Sequence, residues 1–551
     1  MSSCWLSLWK KWWKFVIDFK VKPVMNSKCL ILAGSFALVT CFVLLLCSLL
    51  FPIWETNDDV AMSMIAHGYG IASSGSPPTL MFSNVLWGYF VRFIPEVNGV
   101  LGYSIATMGT LVVVGAFIVN GLFRLGVSYL GCLSVLILLL ARPTLFPQFT
   151  INSGFLMVAA FVCWHLYERE RDFRMLVYGC VLAFFSYMIR SHEFLLVLLV
   201  AWPLLRWKKI LLLKQAKISF VVLALAVAVA AFIDHRAYQG DEWGAFSELN
   251  PARAPFTDFG AAENLKQRQD ILSHHGYSSN DVSLIENWFF VDSVVAKPQV
   301  LQAMLDELGS VPTQDIALGN GWLGLQVLWH PVLLVSVLAA LSLLLIRPSW
   351  RLAVSWGLCV SAMFAFGLLG RPGILRVYVP LVGLLLIAPF FTVMASGWRK
   401  KLSVAIPLVA ALITVANLYP EVEGSKNRIV AASESFHDFP DYPIVVWGVG
   451  VPFEAIYPVM GAATTAMQYQ FYGLGVSTLA PFSVAFSEAA GGRGMVDKLL
   501  DKAGVPVISS EKMLEYLDVY CGEHHGGVLK YLSTQQFGPY VLNRVRCEIL
   551  K

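Results

Sequence analysis

Two adjacent carboxylates, Asp58 and Asp59, end the run Phe51-Pro52-Ile53-Trp54-Glu55-Thr56-Asn57-Asp58-Asp59. A carboxylate can take a proton from a hydroxyl, orient that hydroxyl, or help hold a divalent cation. Asn57 is a good N-cap, so the acids fall in the first turn of a helix that continues through His67-Gly68. Neighbouring helical positions diverge by about 100°. The two acids are therefore expected to have different jobs rather than one shared proton. Val60, Met64 and Ile65 suit a helix lying along a membrane interface. The structural alternative is that the acids only complement the helix dipole.

Phosphate recognition calls for fixed cations, preferably arginine. Arg190 opens the run Arg190-Ser191-His192-Glu193, and Arg371 and Arg376 lie in Gly370-Arg371-Pro372-Gly373-Ile374-Leu375-Arg376. Each also has a structural reading, as an interface anchor or a tie to a nearby acid. Arg142 stands beside Pro143 and is the weaker candidate, read as the end of an apolar run. His274 and His275 are adjacent rather than spaced i,i+4, which gives no metal-ligand spacing. Residues 235–324, which hold this pair, are read as a structural lid, with Asn280-Asp281 capping a helix over 282–290.

The elements that must position these residues follow from composition. Of the 551 residues, 57% are hydrophobic and 14% charged, with a mean hydropathy of +0.65. A soluble domain carries about 25% charged residues, so this surface is not made for water alone. The net charge of +4 is spread between apolar runs, which gives no nucleic-acid footprint. Spans of roughly 20 apolar residues are expected at 29–51, 102–123, 127–142, 148–166, 174–190, 192–205, 217–234, 325–346, 352–370, 377–396 and 403–419. The fold class is an α-helical polytopic membrane protein of about eleven transmembrane helices. The runs at 127–142 and 192–205 are short and suit helices partly buried in protein.

Alternate connections differ in charge. The basic segment 1–28 and the connections on its side hold about twenty Lys and Arg, against Arg142, Arg190, Arg371 and Arg376 in the short connections on the other. The positive-inside rule then sets the N-terminus in and the C-terminus out. Within a transmembrane domain at 29–419, outward loops fall at 52–101 and 235–324. An extracytoplasmic domain follows at 420–551. In that domain 443–448, 505–509, 527–532 and 540–549 read as strands, and 495–503 and 511–517 as helices, a small α/β fold. Cys521 and Cys547 are the two cysteines of the outward domains, and an oxidising compartment predicts a disulfide between them. The chain has no Asn-x-Ser/Thr acceptor, which fits a bacterial protein.

An acidic pair in the first outward loop, many spans and a soluble C-terminal domain together resemble the GT-C superfamily of membrane glycosyltransferases. Thr56-Asn57-Asp58-Asp59 sits where that superfamily carries its acidic motif, here as Asp-Asp instead of a mixed Asp/Glu pair. The resemblance implies inverting transfer of a sugar from a polyprenyl-phosphate donor to a cell-envelope glycan or lipid acceptor. The setting implied is the outer face of a bacterial cytoplasmic (inner) membrane, among membrane lipids and without nucleic acid. It gives Asp58 and Asp59 the catalytic roles and Arg190, His192, Glu193, Arg371 and Arg376 the substrate. A divalent metal is an open possibility. Two other classes fit parts of the pattern. An O-antigen ligase or polymerase would use outward arginines without the acidic pair. A lipid or polysaccharide transporter would show polar, broken helices at mid-membrane, where these spans carry few charges.

Overall fold

A computed structural model describes residues 27–73, 75, 77–309, 318–370, 373–392, 397–461 and 466–550. Arg371 and nearly all of the basic N-terminal segment lie outside these residues.

Among the described residues each expected span coincides with an apolar helix, but six of these helices are long and apolar enough to cross a membrane, or seven if one bent pair counts as a span. Long ones cover Lys28–Leu50, Gly102–Arg124, Phe149–Glu170, Lys214–Ala237, Trp350–Leu368 and Gly397–Ser435. Shorter ones cover Tyr129–Leu145, Phe173–Ile189, Ser191–Leu204 and Leu375–Phe391. The remaining run, 325–346, is not one straight span. Leu318–Trp329 and Pro331–Ile346 meet at 82°. Pro331 has no N–H to continue the ladder, and it forces His330 into an extended conformation (φ −59°, ψ 136°). The run at 403–419 belongs to a helix of 39 residues that passes the 419/420 boundary and enters the C-terminal segment.

Burial sorts the helices. The most apolar stretch of Phe149–Glu170 is wholly buried, and this helix packs against Gly102–Arg124, Phe173–Ile189, Ser191–Ala201 and Leu375–Ile387. Its polar residues face protein: Ser153 Oγ donates to Ser186 O at 2.8 Å. By contrast, Lys214–Ala237 exposes Val221, Leu225 and Phe232, as a lipid-facing helix does. Ion clusters mark the two ends of the bundle. At one, Lys28 and Arg124 both reach Glu170 at 2.6 Å. At the other, Arg142 bridges Glu55 at 2.5 Å and Glu421 at 3.4 Å.

The C-terminal segment carries a mixed sheet of order β2-β1-β3-β5-β4, formed by β1 (Ile444–Trp447), β2 (Phe471–Gly473), β3 (Val505–Ser509), β4 (Gly527–Phe537) and β5 (Tyr540–Ile549). β1 pairs parallel with β2 and β3, and β5 antiparallel with β3 and β4. Successive side chains of a strand point to opposite faces, and both faces are covered. Ile444 and Val446 join the core that continues into the membrane helices. Val445 and Trp447 join a second core with Phe256, Leu284 and Phe289 of the 235–324 segment. Double burial is why β1 reads as an unbroken apolar run. β2 is a short strand that the sequence pattern did not flag. Cys521 and Cys547 form the expected disulfide, joining the Glu511–His525 helix to β5 with Cα atoms 5.6 Å apart.

The 235–324 segment is thus half of a core, not a detached lid. Trp447 Nε1 donates to Asn287 O at 2.5 Å, and Tyr520 Oη donates to Asp292 at 2.6 Å. The 52–101 segment is tied to the same sheet beside β2. Phe471 N donates to Gly70 O at 2.9 Å, and Val484 N donates to Ile71 O at 3.0 Å. Gly70 makes this approach with φ 62°, and any Cβ there would lie 2.6 Å from Met64 Sδ.

Candidate functional site

The acidic pair begins the Asn57–His67 helix, as the sequence predicts, but two details differ. The N-cap is Thr56 (φ −142°, ψ 154°) and not Asn57. Asp59, Val60, Met62, Ser63, Met64, Ile65 and Ala66 are buried. This helix is therefore sunk into protein and does not lie along the interface. Val60, Met64 and Ile65, expected along the interface, are instead buried in the core.

The helix is pinned at both ends to one tyrosine. Tyr103 Oη donates to Asp59 Oδ1 at 3.1 Å, and Tyr103 N donates to His67 Nε2 at 3.1 Å. Accepting that bond requires a neutral imidazole. Burial, helped by Arg92, pushes His67 down to about 4. Asp59 Oδ1 also accepts Phe149 N–H at 2.9 Å, and Oδ2 accepts the Thr56 hydroxyl at 3.3 Å. Asp59 is 0% exposed. Burial pushes its carboxyl well above the usual range, and Asp58 adds to this. Tyr103, Phe149 and Thr56 oppose the shift.

Asp58 has a different environment, as the divergence of neighbouring positions requires. It is half-buried, and Oδ2 accepts Arg376 Nη1 at 2.5 Å. Among the described residues Oδ1 carries no hydrogen bond. Neither Asp58 nor Asp59 belongs to a group of three or more converging metal-ligand side chains among the described residues. The pair is divided between an exposed task and a buried one.

Arg190 joins the two helices Phe173–Ile189 and Ser191–Ala201 in extended conformation (φ −157°, ψ 101°). Nη1 donates to Phe82 O at 3.2 Å, and the guanidinium lies over the rings of Phe149 at 5.3 Å and Phe82 at 5.9 Å. Phe149 thus touches both constellations, with its N–H on Asp59 and its ring under Arg190. Glu193 is 2% exposed, and its Oε1 has no hydrogen-bond partner among the described residues. It packs where Gly154 approaches Pro380. A Cβ on Gly154 would lie 3.1 Å from Glu193 Oε1 and 2.4 Å from Pro380 Cβ. Pro380 lies about one turn along the Leu375–Ile387 helix from Arg376, so the Ser191–Ala201 helix brings Glu193 near the helix that carries Arg376. His192 is exposed and joins none of these contacts.

Arg142 is more engaged than its place beside Pro143 suggests. Its pairs with Glu55 and Glu421 border a cavity of about 360 Å³, also lined by Trp54, Phe146, Arg428 and Glu454. Tyr103, Phe149 and His67 could not have been found from the sequence. Tyr103 and Phe149 are ordinary span residues and His67 ends the short helix of the acidic pair, and their partners lie 36 to 90 positions away.

No family model and no curated protein matches the chain. Among solved structures it is similar to ArnT from Cupriavidus metallidurans bound to undecaprenyl phosphate, at 10% identity and a TM-score of 0.37. It is also similar to the same ArnT in the apo state, at 11% identity and a TM-score of 0.39. Each match covers 93% of this chain and 98% of the other. At these scores the likeness adds no argument about chemistry.

Proposed function

We propose that this chain is a membrane glycosyltransferase of the GT-C kind, moving a sugar from a polyprenyl-phosphate donor to a glycan or lipid acceptor at the outer face of a bacterial inner membrane. The observation that carries the reading is the division of labour in the acidic pair. Asp58 is half-exposed and held by Arg376 through one oxygen, while Asp59 is buried and fixes the helix that presents Asp58. In the proposed reaction the free oxygen of Asp58 takes the acceptor hydroxyl's proton. The acceptor oxygen bonds to the anomeric carbon from the face opposite the phosphate. The carbon–oxygen bond to phosphate breaks, its electron pair leaves with the polyprenyl phosphate, and configuration inverts. Arg376, Arg371 and Arg190 meet the charge growing on that phosphate. Glu193 orients Arg190 and the sugar, and His192 contacts the headgroup from its exposed position.

The test works whichever sugar is transferred. Cell-envelope glycans from cells with and without the gene are compared by mass spectrometry, and the deletion is complemented with wild type or Asp58→Asn. The expected result is a mass shift of one sugar on deletion, restored by wild type and not by Asp58→Asn at equal membrane abundance. Full restoration by Asp58→Asn would refute the assignment. A base role predicts a rate loss of about 10² or more.

A further inference from the structure

Adjacent histidines on a helix diverge by about 100°, which is why His274-His275 carries no metal spacing in the sequence. The fold removes that obstacle. His274 Nδ1 and His275 Nε2 each lie 3.0 Å from the same atom, Glu307 Oε1. One residue uses its near nitrogen and the other its far nitrogen, and the rings sit 4.8 Å apart, tilted by 43°. The third group comes from a different element, since Glu307 is the penultimate residue of the Pro298–Leu308 helix.

The electrostatics favour a cation at this point. The Gln269–His275 helix ends at His275, with Gly276 left-handed beyond it at φ 70°. The Pro298–Leu308 helix ends next to Glu307, with no basic residue in its last turn. A helix C-terminus bears a negative partial charge, so two such ends and a carboxylate meet here. Nearby, Arg268 is already paired with Asp270 at 2.7 Å.

We infer that His274, His275 and Glu307 bind one zinc ion, clamping the Gln269–His275 and Pro298–Leu308 helices together in the second outward segment. Two imidazoles and a carboxylate are a borderline donor set that suits zinc and not magnesium. Zinc–nitrogen bonds of about 2.0–2.1 Å place neighbouring ligands of a tetrahedron about 3.3 Å apart. The two 3.0 Å His–Glu separations need only a few tenths of an ångström of opening, and all three ligand atoms lie within 4.8 Å of one another. Water takes the fourth position. The site is independent of the transferase reading, because none of its ligands contacts the acidic pair or its arginines.

The experiment is a zinc chloride titration by calorimetry of chelator-treated, full-length protein, purified without a polyhistidine tag. Magnesium chloride serves as comparison, and His274→Ala, His275→Ala, Glu307→Gln and His524→Ala are titrated alongside. His524 contributes to another His–carboxylate group, with Asp281 and Glu523, and is the control. The expected result is one zinc per chain with a Kd of about a micromolar or tighter. The three ligand variants weaken it by about tenfold or more, and His524→Ala leaves it unchanged. X-ray absorption at the zinc edge of the wild type reads a nitrogen/oxygen shell, a measurement independent of how the variants fold. The proposal is overturned by absence of saturable zinc binding, by wild-type affinity in two of the three ligand variants, or by loss of zinc in His524→Ala alone.

Discussion

Replacing Asp59 separates its mechanical role from chemistry. In Asp59→Ala, Tyr103 Oη and Phe149 N lose their acceptor, and both residues are buried. An orphaned buried donor costs about 1–3 kcal/mol, so the loss is about 2–6 kcal/mol. Asp59→Asn keeps an oxygen at the Oδ1 position for both bonds, and its amide can donate to the Thr56 hydroxyl. Its stability is expected within about 1 kcal/mol of wild type at acid pH. The pH dependence has a definite sign. Burial raises the folded pKa of Asp59 above its unfolded value, so its favourable contribution is complete below about pH 4. That contribution is lost as pH rises through the raised folded value. Asn carries no such dependence. The melting temperature of Asp59→Asn relative to wild type should therefore climb between pH 4 and pH 8. Thermal unfolding of purified protein in detergent reads all of this, with transfer activity measured alongside. Equal damage from Asn and Ala would refute the hydrogen-bond account. A stable Asp59→Asn protein with activity lost by about 10² would show that Asp59 itself takes part in chemistry.

Other consequences can be checked directly. A Cβ on Gly88 would lie 1.7 Å from the Pro78 carbonyl oxygen, so Gly88→Ala should destabilise by about 1–3 kcal/mol or more; Gly109→Ala, with open space around it, should be neutral or stabilising by thermal melting. The bridge between Cys521 and Cys547 closes a loop over a separation of 26 residues, so their replacement by Ser should cost about 3.5 kcal/mol on the chain-entropy scale. Thiol labelling of unfolded, unreduced wild type should miss both cysteines. Reporter fusions after Lys401 and after Lys551 should report cytoplasm and exterior respectively, and the same side for both would overturn the topology. Arg376→Lys keeps the charge beside Asp58 but shortens and reshapes the donor, and reduced transfer with unchanged melting temperature is expected.

The sequence by itself determined whatever is written in local composition. Bilayer thickness demands long apolar runs, so the apolar helices were legible, six of them among the described residues being long and apolar enough to cross a membrane, as were β3 and β5, whose bounds match the pattern residue for residue. The disulfide was legible because only two cysteines, Cys521 and Cys547, stood in the segment read as extracytoplasmic. Asp58, Asp59 and Arg376 could be named from type and position, but their division of labour could not. Whether a carboxylate is buried against Tyr103 or paired with Arg376 depends on contacts across 44 and 318 residues. The same reason hid the pairing of the 235–324 segment with Trp447 and the approach of Glu307 to His274 and His275. An apolar pattern states that a face is covered, and only the folded chain decides what covers it.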